Sequence, residues 1–357
     1  MISPYSPRFG PDRPFWGPMG QIAGNGGQVP AEASETTRLT DRSGESGVAI
    51  RGSQLVGSGG RAGGGLFADS LRTSVRGWRA VSVAAMQQPN LAHFEFLGTW
   101  DSPVVATSIH AGHELRPEIA ELMELGETDR LREEDPCTNL IAQLVGPRVM
   151  VNRSRFEVDL NRSRDKAVYR TPADCWDLVV WRDEVLPDDA VERSREEHDA
   201  FYAALGERLD ELAERGPFVL FDVHSYNHRR DGADAPASPQ EDNPEVNVGT
   251  GSMDRQKWAD VVDAFTTSMQ AAEVSWGRLD VRENVRFQGA NLCQWVHQRY
   301  PDKGCALALE FKKTFMDEWT GQPDADHIAE LSRALAGTVE PIRAALEANH
   351  GLEPPRR

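Results

Sequence analysis

Phe218-Val-Leu-Phe-Asp-Val223, running into His224-Ser-Tyr226, is the stretch on which the fold turns. Six mostly apolar residues read as a buried central strand. The strand ends in a polar turn, where open α/β sheets hold their ligands. Upstream, Phe201, Leu205, Leu209 and Leu212 fall on one face of a predicted helix over 187–214. Working outward, Pro103 to Ile109 reads as a second buried strand, ending in His110-Ala-Gly-His-Glu114. Pro117 opens a helix with Ile119, Leu122 and Met123 on one face. Asp135-Pro-Cys-Thr138 reads as the start of another helix. Strands are expected at Pro147–Val151, Leu178–Trp181, Val246–Val248, Arg278–Val281 and Ala306–Phe311, and a helix over 255–272. Ile328 to Leu346 continues at helical spacing, with Gly337 and Pro341 predicting a kink or two helices. Strands alternating with helices make this α/β, a three-layer α/β/α sandwich. The pattern leaves a parallel or a mixed sheet open.

The chain has 357 residues, room for one large domain or two ordinary ones at about 150 residues each. Its totals conceal two unlike segments. Residues 1–85 hold 16 of the 31 glycines, with 9 Arg, no Lys and 6 acidic residues, a net +3. The whole chain carries −17, so the remaining 272 residues carry −17 − 3 = −20. A Gly/Arg/Ser-rich leader over 1–88 is expected to be disordered, since it has too little apolar surface to offset its ordering entropy. It is read as lying outside the functional unit, with Met86 a conceivable native start. A catalytic domain is expected over 89–350. The acidity argues against nucleic-acid binding. No apolar run nears the roughly 18 residues of a membrane span, and the N-terminus lacks the basic and apolar blocks of a signal peptide. Cys137, Cys175, Cys293 and Cys305 form no CxxC pair and read as reduced thiols of a cytoplasmic protein.

Three histidines, His110, His113 and His224, follow predicted strands. Imidazole suits zinc, and a catalytic zinc site takes three protein ligands plus an open position. His110 and His113, at i and i+3 across a glycine turn, can face one point, with His224 completing the set and Glu114 competing with His113. Glu310 sits in an apolar strand pattern, where a carboxylate is costly to bury unless paired or used. Beside zinc it reads as the base. Arg153, Arg155, Asp159, Asn161 and Arg162 form a polar run. A guanidinium fork suits a carboxylate, so the run points to an acidic substrate. Arg164 and Arg170 read instead as solvated surface. Residues 229–243, rich in Asp, Pro and Ala, read as a surface loop able to cover the site.

His110-Ala-Gly-His-Glu-Leu-Arg-Pro-Glu118, Arg155-Phe-Glu-Val-Asp-Leu-Asn-Arg162, Asp222-Val-His-Ser225 and Leu309-Glu-Phe-Lys312, followed by Phe315-Met-Asp-Glu318, occur in this order. Together they resemble the N-formylglutamate amidohydrolase branch of the zinc carboxypeptidase-like hydrolases, over about residues 95–320. The resemblance implies a mixed central sheet, one Zn2+ per chain, and hydrolysis of the amide of an N-acyl amino acid or small peptide. It implies His110 and His224 as zinc ligands, Arg162 as the anchor of the substrate carboxylate and Glu310 as the base. Carboxypeptidases carry Glu where this chain has His113, which leaves the second ligand as His113 or Glu114.

The resulting expectation is a cytoplasmic, zinc-dependent amidohydrolase with metal ligands His110, His113 and His224. Glu310 is the proton carrier, and Arg116 or Arg155 offsets oxyanion charge. Asp159, Asn161, Arg162 and Ser225 bind substrate. The partner is a small molecule or peptide bearing a carboxylate, not nucleic acid or membrane. The rival readings are a carboxypeptidase, a non-catalytic binding protein of the same fold, and an iron or manganese enzyme.

Overall fold

A computed structural model describes residues 93–183 and 186–353; the leader expected over 1–88 lies outside the described residues. Seven strands form one sheet: β1 (Phe94–Leu97), β2 (Val104–Ser108), β3 (Arg148–Val151), β4 (Phe218–Tyr226), β5 (Val246–Gly249), β6 (Val281–Glu283) and β7 (Gly304–Lys312). Their order is β1-β3-β2-β4-β7-β5-β6. The pairs β3/β2, β2/β4 and β4/β7 are parallel, whereas β1 runs antiparallel to β3 and β5 antiparallel to β7. The sheet is therefore mixed. Apolar runs mark strands but do not mark their direction, which is why the pattern alone left this open.

The centre is β4 and β7, each nine residues long and paired along the whole length from Phe218↔Gly304 to Tyr226↔Lys312. Side chains alternate between the two faces of a strand. On one face Val219, Phe221, Val223, Cys305, Leu307, Leu309 and Phe311 join a core shared with Val261, Phe265, Ile328, Leu335, Ile342 and Leu346. These last come from helices α5 (Ala259–Ala271), α7 (Ala325–Gly337) and α8 (Val339–Asn349). On the other face Phe218, Leu220, Ala306 and Ala308 pack with Phe201, Leu205, Leu209, Leu292 and Val296. These belong to helices α4 (Asp188–Arg215) and α6 (Asn291–Arg299). That is the three-layer sandwich. By the same alternation, Asp222, His224 and Glu310 continue this second face beyond its apolar part.

Three short helices, α1 (Pro117–Leu122), α2 (Glu127–Glu133) and α3 (Thr138–Ile141), lie between β2 and β3. The long α4 matches its apolar stripe, and the C-terminal helices divide at Thr338 as Gly337 and Pro341 predict. Three expectations need correction. Leu178–Trp181 is not a strand: it makes one isolated bridge, Met123↔Trp181, and its apolar side chains fill a separate small core with Ile119 and Phe156. The strand expected over Arg278–Val281 lies at Val281–Glu283. The segment from Asp135 becomes helical only at Thr138, so Asp135 lies outside the helix.

Candidate metal centre and active site

His110 stands two residues beyond β2, and His224 lies within β4 beside it. Their rings are 4.7 Å apart, centroid to centroid. Asp135 enters from the loop before α3. Its backbone N–H donates to His110 O at 2.9 Å, and Thr138 Oγ1 donates to Asp135 O at 2.8 Å. Lys313 Nζ donates to the carbonyls of Arg132 and Glu134, 2.6 Å each, and fastens the same loop. Asp135 Oδ2 lies 2.9 Å from His224 Nδ1 and 3.4 Å from His110 Nδ1. Donor atoms of His110, Asp135 and His224 all lie within 4.8 Å of one another, and all three residues are buried.

The far side of each ring is also held by a carboxylate. His110 Nε2 donates to Asp159 Oδ1 at 2.7 Å. His224 Nε2 lies 3.1 Å from Asp222 Oδ1 and 3.1 Å from Asn161 Nδ2. Such outer partners select the tautomer that presents Nδ1 to the centre. The three donors fit a divalent cation on a further ground. His110 Nδ1 is buried and makes no hydrogen bond among the described residues, an arrangement that costs about 1–3 kcal/mol unless something else occupies the lone pair. Carboxylates Asp135, Asp159 and Asp222 surround the histidines, and a cation complements that charge. Burial raises the pKa of Asp135, but the adjacent His110 and His224 imidazoles prevail and hold it well below the usual carboxylate range. For Asp159 burial is likewise outweighed, chiefly by the Arg155 guanidinium and His110.

Glu310 is abreast of His224 on the neighbouring strand. It is the one partly exposed position of β7, so solvent reaches it in a strand otherwise buried. Burial of the carboxyl pushes its pKa up to about 8; the His224 charge opposes this, and Asp135 and Asp222 add to it. A carboxyl near this value can both take and return a proton near neutral pH.

The arginine run divides. Arg155 is buried, donating through Nη2 to Asp159 Oδ2 at 2.9 Å and through Nε to Tyr169 Oη at 3.2 Å. It braces Asp159, and through it His110. Arg162 lies over the Tyr169 ring, 4.7 Å from its centroid, and 3.4 Å from Asp159 Oδ2. Its Nε makes no hydrogen bond among the described residues, and the side chain stays 19% exposed. Asn161 is fixed from both sides, its Oδ1 accepting Leu292 N at 3.0 Å.

Four of the expected site residues stand outside the donor group. His113 is not in the donor group: its Nδ1 bonds Glu134 Oε2, and its Nε2 lies 3.0 Å from Arg130 Nη2. The cause is local. Gly112 presses on the backbone of Asn152, where a Cβ would come within 2.2 Å of its carbonyl carbon, and Glu114 N donates to Asn152 O at 2.9 Å. The chain is thus drawn alongside residues 152–153, and His113 turns away from His110. Glu114 is exposed and lies outside the donor group as well. Arg116 is engaged by Glu157 through Nε and by Ser194 Oγ at 2.7 Å, away from the donor group. Ser225 Oγ donates to Asp135 Oδ1 at 3.3 Å, so it steadies one of the donors. Asp135 itself was missed because Asp-Pro before an apolar run reads as a helix start. Asp222 carried a usable signal, being a carboxylate inside an apolar strand two residues before His224.

The sequence profile of the N-formylglutamate amidohydrolase family matches residues 102–316, which hold all of these residues. The chain belongs to that family. It is accordingly an enzyme, an amide hydrolase of the N-formylglutamate amidohydrolase type acting on a small molecule. Among solved structures, the N-formylglutamate amidohydrolase from Ralstonia eutropha JMP134 is similar, at a TM-score of 0.55 and 18% identity, covering 73% of this chain and 100% of that one. At that identity the likeness concerns the fold. A gene product of Agrobacterium tumefaciens gives a TM-score of 0.49 at 15% identity, covering 72% of this chain and 96% of its own. A metallo-carboxypeptidase from Burkholderia cenocepacia gives 0.33 at 15%, covering 74% and 68%. A search of curated proteins finds no match. Among the described residues no helix is long and apolar enough to cross a membrane.

Proposed function

We propose that this amidohydrolase is a zinc enzyme cleaving the amide of an N-acyl amino acid such as N-formylglutamate. The observation that carries this reading is the convergence of His110 Nδ1, His224 Nδ1 and an Asp135 oxygen, with Glu310 abreast of His224. Those three residues would hold the metal, so Asp135 replaces His113 in the ligand set. Bound zinc supplies Lewis-acid polarisation of the amide carbonyl and makes water nucleophilic near neutral pH. Glu310 takes the proton of the attacking water and returns it to the nitrogen of the leaving amine. Its partly exposed edge lets water and substrate reach that carboxyl.

Asp159 and Asp222 act as positioning residues, each fixing the ring of one histidine. Arg155 keeps Asp159 ionised and in place; with two of its nitrogens engaged there, it is assigned to bracing and not to the oxyanion. Arg162 is the anchor for the substrate carboxylate, oriented by Tyr169 beneath it and Asp159 beside it. Asn161 holds the segment against His224 and α6. The four cysteines are free and buried, in keeping with a reducing cytoplasmic setting.

The deciding experiment pairs elemental analysis of the purified protein with turnover of N-formyl amino acids and of peptides. About one zinc per chain and release of formate are expected. Less than about 0.2 zinc per chain, with no activity restored by added metal, overturns the metal assignment. Cleavage of peptide C-termini in preference to formyl amides overturns the substrate assignment.

A further inference from the structure

The buried stripe of α4 changes character toward the N-terminal end of that helix. Leu205 and Leu209 are wholly apolar, whereas His198 and Tyr202 are buried residues with polar atoms. Four positions apart, these two share a face of the helix, and their rings lie 4.6 Å apart, centroid to centroid. Both reach the polar run that carries Asn161 and Arg162. Tyr202 Oη donates to Leu160 O at 2.7 Å, and His198 Nε2 donates to Arg162 O at 2.9 Å. A carbonyl only accepts, so the His198 ring carries a proton on Nε2. The residue between is met from α6, where Asn291 N donates to Asn161 O at 3.4 Å and Leu292 N to Asn161 Oδ1. Asn291 Nδ2 also donates to Tyr202 Oη at 2.8 Å, which ties the two helices together at this point.

Three successive carbonyls, those of Leu160, Asn161 and Arg162, are thus each taken by a donor on a helix. Backbone outside helices and strands usually runs along the surface, where water meets its carbonyls. Here the scaffold meets them instead. It does so at the residues that send Asn161 towards His224 Nε2, 3.1 Å away, and Arg162 over the Tyr169 ring. Two residues on, where the clamp ends, Arg164 is exposed and pairs with Glu192 and Asp199 of the same helix. A site carried on irregular chain keeps its geometry only as far as rigid elements support that chain.

We propose that His198, with Tyr202 beside it, is a positioning residue for substrate binding: from α4 the two hold the backbone of Leu160 to Arg162, so that the Arg162 guanidinium is set before the substrate carboxylate arrives. The inference rests on the reading of Arg162 as the anchor of that carboxylate. His198 acts through Arg162 and not on the substrate itself. An anchor already in place loses less freedom on binding, and the gain is felt in KM more than in kcat.

The test has two arms on the full chain. In the first, kcat and KM are measured on an N-formyl amino acid, with zinc content alongside. His198→Leu removes the donor, whereas His198→Gln carries an N–H the same number of bonds from the backbone. His198→Leu is expected to raise KM about 10-fold, with kcat within about 2-fold of wild type and zinc unchanged. His198→Gln should recover most of the KM. In an Arg162→Ala background His198→Leu should add almost nothing, because the group it positions is gone. An unchanged KM, a loss that His198→Gln shares in full, or an equal further loss in the Arg162→Ala background overturns the proposal. Should His198→Leu fail to fold, Tyr202→Phe carries the same comparison: KM rises with kcat retained, or the proposal fails. The second arm needs no turnover. Hydrogen exchange of the backbone amides over residues 158–164 is expected to quicken about 10-fold in His198→Leu and not in His198→Gln. Unchanged exchange overturns the clamp. If Arg162→Ala leaves KM unchanged, or the wild type hydrolyses no formyl amide, the proposed function loses its anchor or its substrate while the exchange arm still decides the clamp.

Discussion

Two histidine–carboxylate groups stand side by side in this molecule, drawn from adjoining residues of the same two loops. One holds His110 and Asp135, the other His113 and Glu134. In the second, every polar group is answered from within: His113 by Glu134 and Arg130, and Glu134 by Ser154 as well. In the first, His110 is held at Nε2 while Nδ1 stays without a hydrogen bond among the described residues. The first group is arranged to take something more; the second is a closed structural network. Neighbourhood in sequence and residue type are the same, so the difference lies in what remains unpaired after folding.

Breaking the open group has the largest expected effect. Asp135→Ala should lose both metal and turnover, beyond the roughly 10–100-fold cost of disturbing an outer partner. Zinc content and rate measured together check this, and survival of both would return the ligand role to another residue. Glu310→Gln should separate the two readouts: zinc stays near the wild-type ratio while kcat falls by about 10²–10⁴-fold. Asp159→Asn tests the outer layer; zinc affinity measured against a chelator should weaken by about 10–100-fold. The closed group should respond differently. His113→Ala should lower stability by about 1–3 kcal/mol in urea unfolding, through the lost partner of Glu134 Oε2, yet leave zinc content unchanged. A loss of zinc on His113→Ala would erase the distinction between the two groups.

The smallest effect comes from a third histidine, which sharpens the comparison because it meets no carboxylate. His297 Nε2 accepts Ala306 N–H at 2.9 Å, and its Nδ1 pairs with Ser252 Oγ at 2.9 Å. Burial pushes its pKa from 6.5 down to about 4. Between those values the unfolded chain binds more protons than the folded one, so stability falls as pH drops through that window. Melting temperatures across pH 4 to 7 should show a shallower acid loss in His297→Gln than in wild type.

Much of the frame was legible in the sequence. The apolar runs at Val104–Ser108, Phe218–Tyr226 and Gly304–Lys312 are buried on both faces and therefore contain little polar interruption; where Asp222, His224 and Glu310 do interrupt them, the cost of burying a polar group marks a site. Helix α4 was legible because one apolar stripe repeats through its length. By contrast, Leu178–Trp181 carries a strand's composition and packs as irregular chain, because apolar side chains can be buried without a strand partner.

The chain by itself determined the α/β class, the strand ends that carry His110 and His224, and the carboxylate of Glu310, since these follow from periodicity and from the expense of buried charge. The tertiary structure decided the direction of the strands and the choice of Asp135 over His113. It also decided which arginines are already paired, as Arg116 and Arg155 are, and which keep a nitrogen without a hydrogen bond among the described residues, as Arg162 does. These depend on contacts between residues far apart in the chain. Asp135 and His224, 89 positions apart, meet at 2.9 Å, and no local pattern encodes such a pair. A histidine three residues from another looks like its partner until the close passage of Gly112 along Asn152 turns it the other way.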